Sequence, residues 1–407
     1  MGLDSDRQQD VPYKHPIRWL VLTGVWLLYA VFGVSIASLP PLVSTIEADI
    51  GIGHGAMGSV LGAWQFVYIL AAIPCGVLLD RIGGRRAFII GSMLIAASML
   101  SRSFVSDYTQ LLVSVGLFGL GGPIISAGAP KIIAEWFEGK ERGLAMGIYI
   151  TGPGMGAIVA LSLTNSLFMP MLDGDWRALL RIWGALAVIA TLVWFAISRF
   201  LRLRGEESRD VSNPVTSISR MIGLPTVRLV LLMSISVFFF VHGMENWLPE
   251  LLRAGGMRLD QAGFWAAVPV LVAILGALTI PRLALPHRRV RILLFLFLSA
   301  GAASVLLQYP SGPSLWGGLL LEGIARSSMM TILILILVEI DGVGKKRAGT
   351  AGGLFFSVAE IGGVGGPLVL GLLYEVTGTF SLGLIVMTAN CTLLVVALSL
   401  LRRHSSA

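Results

Sequence analysis

A chain of 407 residues that is 55% hydrophobic and only 13% charged, with a mean hydropathy of +0.83, is not an ordinary soluble domain. Such domains carry roughly 25% charged residues, so a bilayer-embedded protein is expected. The 30 Lys and Arg against 23 Asp and Glu then read as basic loops beside anionic lipid rather than as a nucleic-acid surface.

The segment before Trp19 is polar, and the first apolar run has no small-residue cleavage site after it, so an uncleaved first helix is expected. A membrane helix needs about 20 apolar residues. Twelve are predicted, over 19–41, 56–79, 87–105, 110–134, 143–168, 179–199, 227–248, 260–280, 290–308, 314–338, 347–373 and 380–401. The longest polar connector, 201–227, parts six spans from six. It predicts an N-terminal unit over 1–200, a linker, and a C-terminal unit over 228–407. Cys75 and Cys391 both fall in apolar runs, so no disulfide framework is indicated.

Basic residues fix the expected orientation. Of the 30, 23 lie on the side of the chain termini, five lie opposite (Arg102, Arg177, Arg181, Arg253 and Arg258), and Lys131 and Arg326 fall within spans. Both termini and the linker are therefore expected in the cytoplasm, in a multi-pass protein of the inner membrane. The halves also echo one another: a shift of 205 aligns Arg142 with Arg347 and Gly147 with Gly352.

Between spans two and three stands Gly76-Val-Leu-Leu-Asp80-Arg81-Ile-Gly83-Gly-Arg85-Arg86, read as a tight turn at the membrane surface. This pattern resembles the signature loop between helices 2 and 3 of the major facilitator superfamily of transporters. Glu135-Trp136-Phe137 with Glu141-Arg142-Gly143 is similar to that superfamily's junction of helices 4 and 5, and Gly147 to Gly156 resembles its glycine-rich fifth helix. The resemblance implies an all-α membrane protein of twelve transmembrane helices in two pseudo-symmetric six-helix bundles. It also implies alternating access, with Gly76, Asp80, Arg81, Gly83, Arg85 and Arg86 as a gating loop. Asp80 is expected to latch onto the start of span eleven. Asn246-Trp247-Leu248-Pro249 with Gly255-Gly256 and Ala262-Gly263 resembles the cyanate and 2-nitroimidazole permease branch. Two departures count. No Arg stands early in the fourth span, where many proton-coupled members carry one, and the paired arginines of nitrate porters are absent.

Charges within spans are costly, about 2.5–3.5 kcal/mol at a helix centre, and so mark candidate sites. Arg326 and Glu322 share a face of span ten, either as a self-neutralising pair or as a cavity-lining anion site. Glu360 in span eleven has no basic neighbour on its own helix. It takes a partner from another helix or carries a proton, which makes it the candidate for proton coupling together with Glu245. His242, Glu245 and Asn246 share a face in the outer third of span seven, where His242 reads as a switch or as a rim residue. Tyr29, Trp64, Gln65 and Tyr149 complete the candidate solute pocket, with Trp26 and Tyr68 as further aromatics or simple packing. Lys131 reads as snorkelling to the interface. Gly342-Val-Gly-Lys-Lys346 imitates the end of a phosphate loop but lacks its first glycine and its Ser or Thr. No enzyme motif, cofactor site or metal cluster is expected.

The expected function is secondary transport of a small, anionic solute by a monomer, coupled to protons. A proton-driven exporter of lipophilic compounds and a non-transporting receptor of the same fold are the alternatives.

Overall fold

The computed structural model describes residues 17–200, 219–340, 343 and 348–405, with backbone alone at 80, 200, 348–350 and 403–405. The linker segment 201–218 and the loop at 344–347 lie outside the described residues. Among the described residues, twelve helices are long and apolar enough to cross a membrane. They are α1 (Arg18–Ile50), α2 (His54–Leu79), α3 (Arg81–Phe104), α4 (Tyr108–Trp136), α5 (Gly139–Met171) and α6 (Trp176–Arg199). The second set is α7 (Pro225–Ala254), α8 (Leu259–Leu283), α9 (Pro286–Leu306), α10 (Gly312–Glu339), α11 (Ala351–Thr377) and α12 (Ser381–Arg402). Each predicted span coincides with one of them, its ends moved by a few residues.

Three local features differ from the sequence reading. In α1, Pro40-Pro41 interrupts the α-helix with a 3-10 turn at Pro40–Leu42, because proline cannot donate to the preceding turn. The helix resumes over Val43–Ile50, so α1 is longer than expected. In α5, a π-helical turn at Thr164–Phe168 follows Thr151–Leu163. The Gly76–Arg86 turn is tight and hinged at a glycine, as expected, but its arms stay helical. Helix continues into it from both sides, and among the described residues of His54–Ser101 the one with non-helical backbone is Gly83, at φ 79° and ψ 158° in the first turn of α3. Backbone at that φ is open to glycine without steric cost.

The helices pair in the same way in both halves. In the first, α1 packs on α5, α2 and α3 on α4, and α3 on α6; in the second, α7 packs on α11, α8 and α9 on α10, and α9 on α12. Two glycines make the equivalence concrete. A Cβ added to Gly156 would stand 1.9 Å from the Ala30 carbonyl of α1, and one added to Gly362 would stand 1.9 Å from the Ile235 carbonyl of α7. Only glycine admits backbones this close, a common device where helices associate in lipid.

The halves meet along α2 with α11 and α5 with α8. On the face remote from the Gly83 corner, the α2–α11 seam is shut. The Gly55 amide donates to Glu375 Oε2 at 2.6 Å, and a Cβ on Gly58 would stand 2.6 Å from the Pro367 carbonyl. Toward the Gly83 face, Gly76 of α2 and Gly352 and Gly353 of α11 have no described atom within 4 Å of a built Cβ.

Candidate solute and proton site

Midway along the seam, α7, α10 and α11 bring five titratable side chains into one chain of contacts. Glu322 and Arg326 stand one turn apart on α10, with Arg326 Nη1 3.7 Å from Glu322 Oε1. The nearer partner of Arg326 comes from α7: its Nη2 lies 3.1 Å from Glu245 Oε1. One turn earlier on α7, His242 bridges two carboxylates, with Nδ1 3.6 Å from Glu245 Oε2 and Nε2 3.8 Å from Glu360 Oε2. The partner of Glu360 thus comes from another helix. From the N-terminal half, α2 supplies Trp64, edge-on to His242 at 5.6 Å, and Gln65. Three side chains converge over Gly363, where an added Cβ would meet Glu360 Oε2, Gln65 Cγ and His242 Cδ2 within 3.2 Å.

Burial grades this cluster. Glu322 and Gln65 are 0% exposed and Glu360 4%. The side chains of Arg326, Glu245 and His242 keep 12%, 15% and 11%, so these three are the less enclosed part of the cluster. Both oxygens of Glu322, Glu360 Oε2, His242 Nδ1 and the whole Gln65 amide lack a hydrogen-bond partner. Buried polar atoms of that kind cost about 1–3 kcal/mol each when left unpaired. Three carboxylates also face one guanidinium. With all of them ionised, a deficit of positive charge would sit in a low-dielectric site, where removing charges from water costs several kcal/mol per ion. The arrangement leaves one guanidinium among three carboxylates.

Arg326 therefore has a nearer partner than Glu322 of its own helix. Glu245, on a helix distant in sequence, already holds it. His242 is not a rim residue: it is buried at the centre of the cluster. Asn246 is buried, but its amide donates to the His242 carbonyl of its own helix at 2.8 Å, so it does not join the charged group. Tyr29 and Tyr149 pair with each other, ring centres 5.5 Å apart, away from the charges. They connect to the cluster through a run of ring contacts, Tyr29 stacked on Phe32, Phe32 tilted against Phe118, and Phe118 edge-on to Trp64. Tyr68 and Ser126 extend this wall, their hydroxyls 2.9 Å apart. Ser126 carries no signal in sequence, being one small hydroxyl in a glycine-rich helix.

In the gating segment, Arg81 and Arg86 are exposed and Arg85 half-buried, its carbonyl accepting from Trp194 Nε1 at 3.4 Å. The side chain of Asp80 lies outside the described residues, as do Arg347 and the side chains of 348–350 at the start of predicted span eleven, which it was expected to meet. No group of three or more metal-ligating side chains is found among the described residues.

Comparisons with known proteins agree with this architecture. The chain is 23% identical to the uncharacterized transporter YycB of Bacillus subtilis, over 91% of this chain and 90% of the relative. It is 24% identical to the quinolone resistance transporter of Acinetobacter baumannii, over 94% and 92% of the two chains. It is 23% identical to the probable galactarate/D-glucarate transporter GudP of Bacillus subtilis, over 93% and 90%. Among solved structures, a mutant of the nucleoside transporter NupG superposes with a TM-score of 0.79 at 12% identity, covering 95% of this chain and 99% of that one. The family model of the Major Facilitator Superfamily matches residues 25–367. The chain belongs to that superfamily, and is a membrane transporter rather than an enzyme.

Proposed function

We propose that the chain is a secondary transporter of a small organic anion, coupled to protons through the Arg326 cluster and working by alternating access. The observation that carries this reading is the 3.1 Å pair between Arg326 and Glu245, the closest ion pair of the cluster. An anionic solute needs the guanidinium, and Glu245 occupies it. Proton uptake by Glu245 releases the guanidinium, so a solute carboxylate takes the place of the protein's own. Binding of solute and of proton then favour one another, which is the thermodynamic requirement for symport. His242, between Glu245 and Glu360, can accept a proton on one ring nitrogen and release one from the other. Glu360 serves as the buried end of that relay, and Glu322 keeps Arg326 in place while Glu245 is neutral.

Gln65 and Trp64 supply the N-terminal half's contacts to the solute. The basic-residue count supports both termini in the cytoplasm, so the shut end of the α2–α11 seam faces outward. The halves 1–200 and 228–407 would rock about the site, with Gly76–Arg86 at the cytoplasmic end of the seam. The GudP relative supports a sugar-acid solute. A second reading, export of a lipophilic compound, draws on the quinolone resistance relative and on the wall of Tyr29, Phe32, Phe118 and Trp64.

The two readings separate in a binding assay. Purified protein is titrated with D-glucarate, galactarate and a quinolone at several pH values. Saturable binding of a sugar acid that tightens as pH falls is the expected result. Quinolone binding alone, indifferent to Arg326→Gln, would favour the exporter.

A further inference from the structure

The shut end of the seam contains a second titratable group, apart from the central cluster. His54 opens α2, and its ring lies parallel to Tyr374 at 4.0 Å and to Trp247 at 5.1 Å. Its Nδ1 is 3.1 Å from Glu47 Oε1 of α1, and its Nε2 is 3.8 Å from Glu250 Oε1 of α7. Both ring nitrogens therefore face carboxylate oxygens, which accept hydrogens and donate none. A neutral imidazole would direct its lone pair at one of them, whereas an imidazolium suits both and is attracted to the stacked rings as well. The other charged groups here are Arg253, whose guanidinium grips Glu250, and Glu375 of α11, which accepts from the Gly55 amide. Three carboxylates thus stand around a single arginine, leaving room for a positive His54.

The geometry is split between the halves. Glu47 and His54 belong to the first half, while Glu250, Trp247 and Tyr374 belong to the second. Opening the seam separates His54 from Glu250 and from both rings and exposes it to water. We propose that His54 is a proton-binding latch: it takes a proton from the medium on that face as the seam closes and gives it back as the seam opens. Acid at that face then holds the transporter shut there, independently of protons carried with solute. This proposal rests on the alternating-access reading above, and its test reads distance rather than flux.

The full chain with Cys75→Ser and Cys391→Ala is spin-labelled at Thr109→Cys and Gln261→Cys, exposed positions of α4 and α8 at the shut end. It is placed in lipid nanodiscs, and the label separation is measured by pulsed dipolar spectroscopy from about pH 8.5 to about pH 5.5, across the ordinary histidine range. The short-distance population is expected to grow relative to the long one as pH falls, by up to about tenfold per pH unit for one proton taken up. His54→Gln should flatten that slope. Glu250→Gln, which keeps the imidazole and removes its partner across the seam, should flatten it too. Glu360→Gln should leave the slope in place. Two populations whose ratio ignores pH would overturn the latch alone. So would a slope that survives His54→Gln, or one that only Glu360→Gln abolishes. A single distance in every variant at every pH would overturn the latch and the alternating-access reading together.

Discussion

Replacing Glu245 by glutamine keeps the shape of the side chain but removes the charge that holds Arg326. Two unit charges about 4 Å apart interact by about 4 kcal/mol at an effective dielectric of 20. The amide oxygen of glutamine still accepts from the guanidinium, and Glu322 remains 3.7 Å away, so only part of that energy is released. A charge-assisted hydrogen bond is worth about 1.5–3 kcal/mol, which converts to about tenfold to hundredfold in affinity. In the parent, anion binding should tighten as pH falls, the direction that symport requires. In Glu245→Gln the affinity should be about tenfold or more above the parent's and should no longer change with pH. Titration of D-glucarate, followed by calorimetry or by the fluorescence of the nearby tryptophans, reads both curves. A variant that binds more weakly than the parent at every pH, or that keeps the parent's slope, would refute the exchange of partners at Arg326.

Arg326→Gln should abolish saturable anion binding while leaving folded protein in the membrane; unchanged affinity in that variant would remove Arg326 from the site. Glu360→Gln should lose uphill, pH-driven accumulation but keep solute exchange, because the buried end of the relay is gone while the guanidinium remains. Accumulation against a gradient in that variant would make Glu360 structural. Gly83→Ala forces a side chain into φ 79° and should cost about 1–2 kcal/mol, seen as a lower melting temperature with unchanged solute affinity. Asp80→Asn should insert normally, turn over more slowly and label more readily at cysteines placed in the cytoplasmic vestibule; labelling equal to the parent would discard the expected latch on α11.

The twelve spans were legible because a bilayer demands a long apolar run from every helix, and the chain supplies twelve of them. The Glu322–Arg326 pair was equally legible, since a spacing of four places both residues on one face whatever the tertiary structure. The Glu245–Arg326 pair was not. It depends on how α7 packs against α10, and no pattern within either helix encodes that contact. The same limit moved His242 from a rim position to the middle of the cluster, where it bridges Glu245 and Glu360. His54 drew no notice at all: a polar residue opening a helix looks like ordinary surface until α7 and α11 are placed around it. The Gly76–Arg86 segment was legible as a glycine-hinged turn, but not that helix would run up to Gly83 from both sides, because one glycine at positive φ is enough to turn a continuous helix.

Coupling is measured most directly by following proton and solute together. Protein is reconstituted into liposomes that enclose a pH-sensitive dye, and D-glucarate is added outside with no pH difference imposed. The expected result is saturable acidification of the lumen in step with solute entry, lost in both Arg326→Gln and Glu245→Gln although the second still binds solute. Solute entry by the parent with no movement of protons, or acidification that persists in Glu245→Gln, would contradict coupling through the Arg326–Glu245 pair.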